Sequence, residues 1–417
     1  MKTILTIIGA RPQFIKAAPV SKALRKHGGF NEVVVHTGQH YDNNMSAVFF
    51  DELEMKEPDH NLEVGSASHA VQTAEIMKRL EPLMVDQNPE TVLIYGDTNS
   101  TLAAALVAAK LHYPVAHVEA GLRSFNMRMP EEINRIVADR VSSILFCPTS
   151  AAVKNLQNEG LTQGVHNVGD VMYDAALMFR EKAEQKSEIL DRLCLRESSH
   201  REHRGQRGEI GRAERANTRY SDRASASCVG NCVPYALATI HRAENTDDPV
   251  RLKSICTALV EIAGHTPVIL PMHPRTRKAL GLIEEGSASA AGKASGRQRY
   301  YSSVLSMSLW PIAIIEPCSF LDMVALEANA KLILTDSGGM QKEAYFHRVP
   351  CVTLRDETEW VETVASGWNL CCNTRTPEHI LSAARESDAT DDSKMDISDY
   401  GNGEASSRVA AILSRSQ

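Results

Sequence analysis

The segment that decides the fold is residues 1–27, MKTILTIIGARPQFIKAAPVSKALRKH. Its apolar run over residues 3–8 leads through a glycine turn into a helical pattern over residues 14–26. A continuous apolar run of this length is typical of a parallel strand that is buried on both faces of a sheet. The segment therefore predicts the strand–turn–helix unit from which doubly wound α/β domains are built.

The same unit recurs along the chain. Further apolar runs lie at residues 32–37, 91–95, 115–118 and 144–147, and again at residues 236–240, 268–270, 312–315, 332–335 and 351–354. Helical patterns separate them, at residues 70–84, 98–111, 249–263 and 320–329. We therefore predict an α/β fold with two Rossmann-like doubly wound domains, over residues 1–170 and 171–375. A C-terminal helical segment, 376–417, is expected to pack back on the first domain.

Two stretches interrupt this pattern, at residues 196–233 and 286–299. The first is rich in Arg, Ser, Glu and Gly, and the second in Ala, Ser and Gly. Neither holds enough large apolar side chains to offset the entropy of ordering it, so we expect two disordered surface insertions. The alternative for the first is that its arginine and histidine residues bind an acidic partner.

The composition excludes several classes of function. A net charge of -7 gives no general affinity for nucleic acid or anionic membranes. No apolar run is long enough to span a bilayer, and the apolar stretch at residues 1–10 is too short for a signal peptide. The nine cysteines are scattered without a CxxC pair, which favours reduced thiols in the cytoplasm. We expect no metal site, because no second ligand pair stands at zinc-like spacing.

Ligands of open α/β sheets bind beyond the carboxyl ends of the strands, so the residues that follow each strand are candidates for the site. Gly9 permits a tight turn after the first strand, and Arg11 and Lys16 project cations beside a helix N-terminus. This pattern predicts a pyrophosphate site. The alternative is an ordinary helix that starts with Arg-Pro.

Three carboxylates follow the next strands. Asp97 comes after the run 91–95, and Glu119 lies two residues beyond His117, a spacing that puts both side chains on one face of a strand. Glu131 starts the helix that carries Arg135. Crowding of three acids raises the pKa of at least one of them, as proton transfer requires. The alternative for Glu131 is simple helix capping after a proline.

The second half supplies complementary groups after its strands. His241 follows the run 236–240, and His273 follows the run 268–270. The Ser-Gly-Gly segment 337–339 follows the run 332–335 and starts a helix, where its backbone N–H groups form an anion nest. Glu343 on this helix is a candidate to accept hydrogen bonds from ribose hydroxyls. The alternative for Ser-Gly-Gly is an ordinary turn.

Taken together, these stretches resemble the non-hydrolysing UDP-N-acetylglucosamine 2-epimerase family. The resemblance covers nearly the whole chain outside the two insertions. The matching segments are GARPQFIK (9–16), HTGQHYDNNM (36–45), YGDTNSTLA (95–103), HVEAGLRSFN (117–126), MPEEINR (129–135), HRAEN (241–245), HPRTR (273–277), EPCSFLDM (316–323) and LTDSGGMQKEA (334–344).

The resemblance implies a glycosyltransferase-B-like fold with the active site in the interdomain cleft, a cytoplasmic homodimer, and a reaction without cofactor. UDP-N-acetylglucosamine and UDP-N-acetylmannosamine would be interconverted by elimination and re-addition of UDP through a glycal. Asp97, Glu119 and Glu131 would be the acid/base carboxylates, with His241 by the diphosphate or leaving oxygen. Gln39 and His40 match a segment that binds a second, activating nucleotide sugar in some members. The residues implied to hold the substrate are Arg11, Lys16, Arg135, His273, Met323, Ser337, Gly338, Gly339 and Glu343.

The sequence also departs from the family pattern. Ala10 and Gln13 stand where many members have Thr and Glu, and Trp360 stands where many have Arg. Met323 replaces a common aromatic residue. The segment RDETEW (355–360) resembles a sub-branch that acts on UDP-2,3-diacetamido-glucuronic acid, which is the alternative substrate.

Three other functions compete with epimerisation. A glycosyltransferase of the same fold needs at most one base in the first domain, so three carboxylates argue against it. A non-catalytic nucleotide-sugar sensor needs none of the three. A hydrolysing epimerase, which releases free N-acetylmannosamine and UDP, stays open at this point.

Overall fold

The computed structural model describes residues 1–39, 47–196, 233–281, 312–358, 360–387 and 397–415. The chain divides into two compact units. Unit 1 is Met1–Glu181 together with Asp396–Gln417, and unit 2 is Lys182–Met395. Nearly all of the first expected insertion and all of the second lie outside the described residues, as does His40.

Unit 1 is built on a parallel sheet of seven strands. They are β1 (Lys2–Ile8), β2 (Phe30–His36), β3 (His60–Asn61), β4 (Thr91–Tyr95), β5 (Val115–Val118), β6 (Ile144–Cys147) and β7 (Val165–Asn167). Their order across the sheet is β3-β2-β1-β4-β5-β6-β7. β2 and β3 lie on one side of β1, and β4 to β7 lie on the other, so the sheet has its topological switch point between β1 and β4. The carboxyl ends of these two strands therefore flank the crevice in which such folds bind ligands.

Helices connect the strands of unit 1 and cover its sheet. They are α1 (Arg11–His27), α2 (Ala47–Leu53), α3 (His69–Gln87), α4 (Asn99–Lys110), α5 (Pro130–Val141), α6 (Ser150–Asn158) and α7 (Val171–Lys186), the last of which continues into unit 2. Apolar side chains of the strands, such as Leu5 and Ile94, pack with Ile76 and Leu80 of α3 in one buried cluster. Burial on both faces explains why the strands appear in the sequence as continuous apolar runs.

Unit 2 repeats this plan with six parallel strands. They are β8 (Ala236–Thr239), β9 (Val268–Pro271), β10 (Ile312–Ile315), β11 (Leu332–Thr335), β12 (Cys351–Thr353) and β13 (Asn369–Cys371), in the order β10-β9-β8-β11-β12-β13. The helices are α8 (Ile189–Arg192), α9 (Ala243–Thr246), α10 (Pro249–Ala263), α11 (Pro274–Ala279), α12 (Phe320–Asn329), α13 (Gly338–His347), α14 (Val361–Ala365) and α15 (Pro377–Ser387). The switch point of this sheet lies between β8 and β11. Two doubly wound parallel sheets confirm the predicted α/β class.

The C-terminal segment returns to unit 1. A short 3-10 helix (Ser398–Tyr400) precedes α16 (Ala405–Arg415), which packs against α1. The Asp174 carboxylate accepts hydrogen bonds from the backbone N–H groups of Ala405 and Ser406, at 3.1 and 2.7 Å, and so caps α16. The described part of 376–417 therefore contains two separate α-helices, α15 in unit 2 and α16 in unit 1. Among the described helices, none has the length and apolar character needed to cross a bilayer.

Candidate active site

The turn after β1 is tied to the end of β4 by one side chain. The Gln13 Oε1 atom accepts hydrogen bonds from the N–H groups of Gly9 and Ala10, at 2.8 and 3.1 Å, and its Nε2 donates to the Tyr95 carbonyl at 2.6 Å. Gly9 does not have a positive φ. It is required here because a Cβ would overlap the Ser100 hydroxyl. The sequence predicts glycine at position 9 because of a tight turn, but the structure shows that close packing at the switch point is what requires it.

The two cations of this first turn differ in their surroundings. The Lys16 ammonium group forms an ion pair with the Glu119 carboxylate, with the side chains 18% and 4% exposed. The Arg11 guanidinium lies 5.2 Å from the centre of the Phe49 ring, in a cation–π contact. Both cations therefore remain at the carboxyl edge of the sheet, where the sequence predicts a pyrophosphate site.

Glu119 has an unusual backbone conformation. Its φ is +71°, in the left-handed region that a non-glycine residue rarely adopts. A Cβ placed on Gly96 would be 3.2 Å from the Glu119 Oε2 atom, so this carboxylate lies beside the end of β4. Because β5 ends at Val118, the two-residue strand spacing from His117 does not apply to Glu119. Strain of this kind is frequent at functional sites, where the surrounding structure fixes it.

Asp97 lies directly beyond β4 and is held from α5. The Arg135 guanidinium pairs with the Asp97 carboxylate and, at 2.6 Å, with Glu132. The Asn134 side-chain amide donates to the Asp97 carbonyl at 2.9 Å. Burial lowers the pKa of Arg135, but the charges of Asp97 and Glu132 outweigh it and raise that pKa. Asp97 is thus fixed by a permanently charged partner while its own side chain stays 33% exposed.

The two acids at the start of α5 have different environments. Glu132 is buried and accepts hydrogen bonds from the Ser124 N–H and hydroxyl and from the Phe125 N–H, all at 2.9 Å. Burial raises its pKa, but these bonds and the Arg135 charge lower it overall. Glu131 is exposed in the first helical turn. Of the two, only Glu131 is open to a ligand.

Gln39 is engaged within unit 1. Its Oε1 accepts hydrogen bonds from the Ser100 N–H at 2.9 Å and hydroxyl at 2.6 Å. The Gln39 carbonyl accepts from Gln72 Nε2 at 3.0 Å. This buried amide fixes the chain after β2 to the start of α4, and its proposed contact with a second nucleotide sugar stays a prediction.

The edge of the unit 2 sheet is organised by Asp336, which is fully buried beyond β11. Its carboxylate accepts hydrogen bonds from the backbone N–H groups of His241 and Arg242 and from the Asn245 side chain, at 3.0–3.1 Å. The His241 Nδ1 atom lies 3.0 Å from the same carboxylate. Burial would raise the pKa of Asp336, but these partners lower it. A buried carboxylate therefore orients His241, which is 38% exposed.

The Ser-Gly-Gly segment forms the N-terminus of α13, as predicted. Ser337 is the N-cap, and its hydroxyl accepts from the Met340 N–H at 3.4 Å. A Cβ on Gly339 would meet only the Ser337 Oγ, at 4.0 Å, so packing alone does not demand glycine there. The Gly338 carbonyl accepts from the Trp360 indole at 2.8 Å. The exposed backbone of Gly339 leaves room for an anion at a helix N-terminus.

The remaining predicted residues flank this edge. His273 is the N-cap of α11, and its Nδ1 accepts from the Arg275 N–H at 3.2 Å. The rings of His241 and His273 are 5.5 Å apart. Met323 is half-buried on α12, and Glu343 is half-buried one turn into α13. Across the described ranges there is no cluster of three or more metal-ligating side chains.

Each sheet thus carries polar and charged groups at the carboxyl edge beside its switch point, as expected for two Rossmann-like units. The model of the UDP-N-acetylglucosamine 2-epimerase family matches residues 22–414, and the chain belongs to this family. The family and enzyme class expected from the motifs, a nucleotide-sugar 2-epimerase and hence an isomerase, are confirmed.

Two curated relatives span almost the whole chain. A Pseudomonas aeruginosa UDP-2,3-diacetamido-2,3-dideoxy-D-glucuronate 2-epimerase is 45% identical over 419 residues, covering 99% of both chains. A Methanococcus maripaludis UDP-N-acetylglucosamine 2-epimerase homolog is 43% identical, covering 98% of this chain and 99% of the relative. The crystal structure of the Methanocaldococcus jannaschii UDP-GlcNAc 2-epimerase in complex with UDP-GlcNAc and UDP matches with a TM-score of 0.77, at 35% identity and full coverage of both chains. The glycosyltransferase-B-like fold is confirmed by such neighbours.

Several residues that organise these edges were not among the predicted site residues. They include Gln13, the buried pair His117 and Asp139, and Asp336. Asp336 could have been found, because an acid directly before an anion nest cannot itself bind the anion and must have another task. No sequence signal identifies Asp139, since its partners lie 16 to 22 residues away.

Proposed function

We propose that this enzyme interconverts UDP-N-acetylglucosamine and UDP-N-acetylmannosamine by eliminating UDP and adding it back. The observation that carries the proposal is the pairing of Asp97 and Glu119 with fixed cations at one sheet edge. An anion nest with an oriented histidine at the other edge complements it.

The reaction must avoid direct removal of the C2 proton. No carbonyl adjoins C2, so its hydrogen is not acidic. In the proposed path the C1–O bond breaks with its electrons going to UDP, while the C2 proton passes to a carboxylate and a C1=C2 double bond forms. A proton then returns to the opposite face of C2 and a UDP oxygen adds back to C1. Atoms and electrons balance without an oxidant or reductant.

UDP departure requires stabilisation of negative charge. The N–H groups at the start of α13 and the exposed ring of His241 support diphosphate binding in unit 2. Arg11 and Lys16 in unit 1 offer two more cations, and Glu343 is the proposed ribose ligand. The remaining proposed substrate contacts are Arg135, His273 and Met323.

Proton transfer requires carboxylates on both faces of the sugar ring. Glu119 is buried and ion-paired, Asp97 is partly exposed, and Glu131 is exposed. General acid–base catalysis of this type contributes about 10²- to 10⁴-fold in rate. We propose that these three share the two proton transfers.

The second candidate substrate is UDP-2,3-diacetamido-2,3-dideoxyglucuronate. The observation that favours it is the 45% identity to the Pseudomonas aeruginosa enzyme of that name. The segment 355–360, which led to this alternative, carries Trp360 against the Gly338 carbonyl at the anion nest. The mechanism would be the same. The homodimer and the cytoplasmic location expected from the family belong to this proposal as well.

The test is to incubate the purified protein with each UDP-sugar in D2O, without an acceptor, and to follow C2 by proton NMR. We expect deuterium at C2 together with inversion for one of the two substrates. Release of free sugar in place of the UDP-linked epimer would point to a hydrolysing enzyme. Turnover that needs an added acceptor would point to a glycosyltransferase, and absence of exchange with both sugars would refute the proposal.

A further inference from the structure

A buried histidine lies beneath the two turns that carry Asp97 and Glu119. His117 is fully buried on β5, and its two ring nitrogens both have partners. Nε2 lies 2.7 Å from the Gly96 carbonyl, and Nδ1 lies 2.7 Å from the Asp139 carboxylate. A carbonyl oxygen can only accept a hydrogen bond, and the same is true of an ionised carboxylate. Both ring nitrogens therefore donate, and each carries a proton.

Asp139 extends this chain of hydrogen bonds to the second turn. Its Oδ2 atom accepts from the Gly121 N–H at 3.0 Å and from the Arg123 guanidinium at 2.7 Å. Asp139 is fully buried on α5. Burial raises its pKa, but the bonds and charges of His117 and Arg123 lower it overall, which agrees with an ionised acceptor.

The two ends of this chain are the glycines next to the carboxylates. Gly96 immediately precedes Asp97, and Gly121 is two residues beyond Glu119. Both glycines have positive φ, at +62° and +81°, so neither turn is held by ordinary strand geometry. The left-handed backbone of Glu119 likewise needs support from outside its own segment.

We propose that His117 is a positioning residue for the epimerase reaction, joining the Gly96–Asp97 turn to the Glu119–Gly121 turn through Asp139. This rests on the proposed function, because it assigns His117 to the placement of the two proton-carrying carboxylates. His117 has no access to substrate, and it acts only through the backbone of the two turns.

The geometry allows the two ends of the chain to be cut separately. In His117→Asn the side-chain amide can replace Nδ1 as donor to Asp139 but cannot reach the Gly96 carbonyl. In His117→Gln the side-chain amide can replace Nε2 as donor to the Gly96 carbonyl, but Asp139 loses the hydrogen bond that Nδ1 donates. Displacement of a reacting group by about 1 Å costs roughly 10²-fold in rate. We expect both variants to lose about 10- to 100-fold in kcat, with KM changed less than threefold.

The matched control is Val92→Ala, which creates a cavity in β4 of the same sheet without touching either turn. It should lower the melting temperature while keeping kcat near that of the unaltered enzyme. If Val92→Ala loses as much kcat as the His117 variants at equal loss of stability, the effect is general loosening and the proposal is overturned. Normal kcat in both His117 variants would overturn it as well.

A measurement on the unaltered protein guards against variants that fail to fold. Nitrogen-15 NMR should show a directly bonded proton on each His117 ring nitrogen, as the two hydrogen bonds require. A ring nitrogen without a proton would overturn the proposal. Failure of the epimerase assignment looks different, because the unaltered enzyme would then show no C2 exchange with either UDP-sugar while the His117 ring signals stayed as expected.

Discussion

A histidine–aspartate pair lies at the carboxyl edge of each sheet, and the two pairs differ in burial. His117 and Asp139 in unit 1 are both fully buried, with the ring fixed at both nitrogens. His241 in unit 2 is 38% exposed, and only its Nδ1 contacts Asp336. In the described part of the chain its Nε2 has no hydrogen bond. The same two residue types therefore hold backbone in one unit and present an exposed ring nitrogen in the other.

The groups that surround the two histidine–aspartate pairs also differ in chemical type. In unit 1 the edge carries two carboxylates that are paired with cations, the buried Glu119 and the partly exposed Asp97, and in unit 2 it carries backbone N–H groups at a helix start. Proton transfer needs the first arrangement, and binding of a diphosphate needs the second. If this division is correct, changes in unit 1 should affect turnover and changes in unit 2 should affect stabilisation of the leaving group.

The largest effect is expected for Glu119→Gln. Loss of this carboxylate should lower kcat by about 10²- to 10⁴-fold, since one proton carrier is removed. UDP affinity measured by calorimetry should stay within a factor of about three, because the nest in unit 2 is untouched. Glu75→Gln on the surface of α3 is the control and should be neutral. Near-normal turnover of the Glu119 variant would contradict the assignment of proton transfer to unit 1 and diphosphate binding to unit 2.

His241→Ala should give the next largest effect. Removal of one donor from a developing charge typically costs about 10²- to 10³-fold in kcat. The melting temperature should change little, because the backbone N–H groups of His241 and Arg242 still satisfy Asp336. His265→Ala, an exposed histidine just before β9, is the matched control. A large loss of stability with unchanged kcat would show that His241 has only a structural role.

A smaller effect, on stability, is expected at a third buried carboxyl group, which has no histidine partner like those of Asp139 and Asp336. Glu327 on α12 is 2% exposed, and its Oε2 has no hydrogen-bond partner among the described residues. Burial, and then the charge of Glu343, raise its pKa well above the usual value. A raised pKa in the folded state means that stability falls as pH rises above the unfolded value.

Glu327→Gln should therefore be more stable than the unaltered protein at pH 8, by on the order of 1 kcal/mol, with the difference vanishing near pH 4. Urea midpoints at several pH values measure this, with the exposed Glu386→Gln as control. An equal difference at all pH values would show that the Glu327 charge is not the cause. The contrast between Glu327 and the two hydrogen-bonded carboxylates Asp139 and Asp336 would then not explain the difference in stability.

The central strands of each sheet, and the edge strand β10, could be predicted from the sequence. The runs at 91–95, 115–118, 144–147, 312–315 and 332–335 match the observed strands in full. Three short strands were missed: β3, β7 and β13. They have two or three residues each, and all three lie at sheet edges. Strands this short at an edge are buried too little to need a hydrophobic run, whereas the four-residue edge strand β10 has one.

The candidate site could be predicted as a set of residues but not as a set of contacts. Strand ends identified Asp97, Glu119 and the Ser-Gly-Gly nest because parallel strands bring their carboxyl ends together. The partners of these residues come from elsewhere, as with Lys16, which lies 103 positions from Glu119. Left-handed backbone at a glutamate has no sequence signal. Pairing and strain depend on tertiary packing, which periodicity does not contain.

The return of the last residues to unit 1 has a consequence for folding during synthesis. Lys2 at the start of β1 donates to the Ser414 carbonyl of α16 at 2.9 Å, so β1 and α16 are joined although more than 400 residues separate them. The ribosome must therefore complete all of unit 2 before α16 can cover α1. At about 5–20 residues per second this leaves a surface of unit 1 uncovered for on the order of 10 to 40 s. The newborn chain exposes that surface to chaperones or to aggregation until α16 has been synthesised.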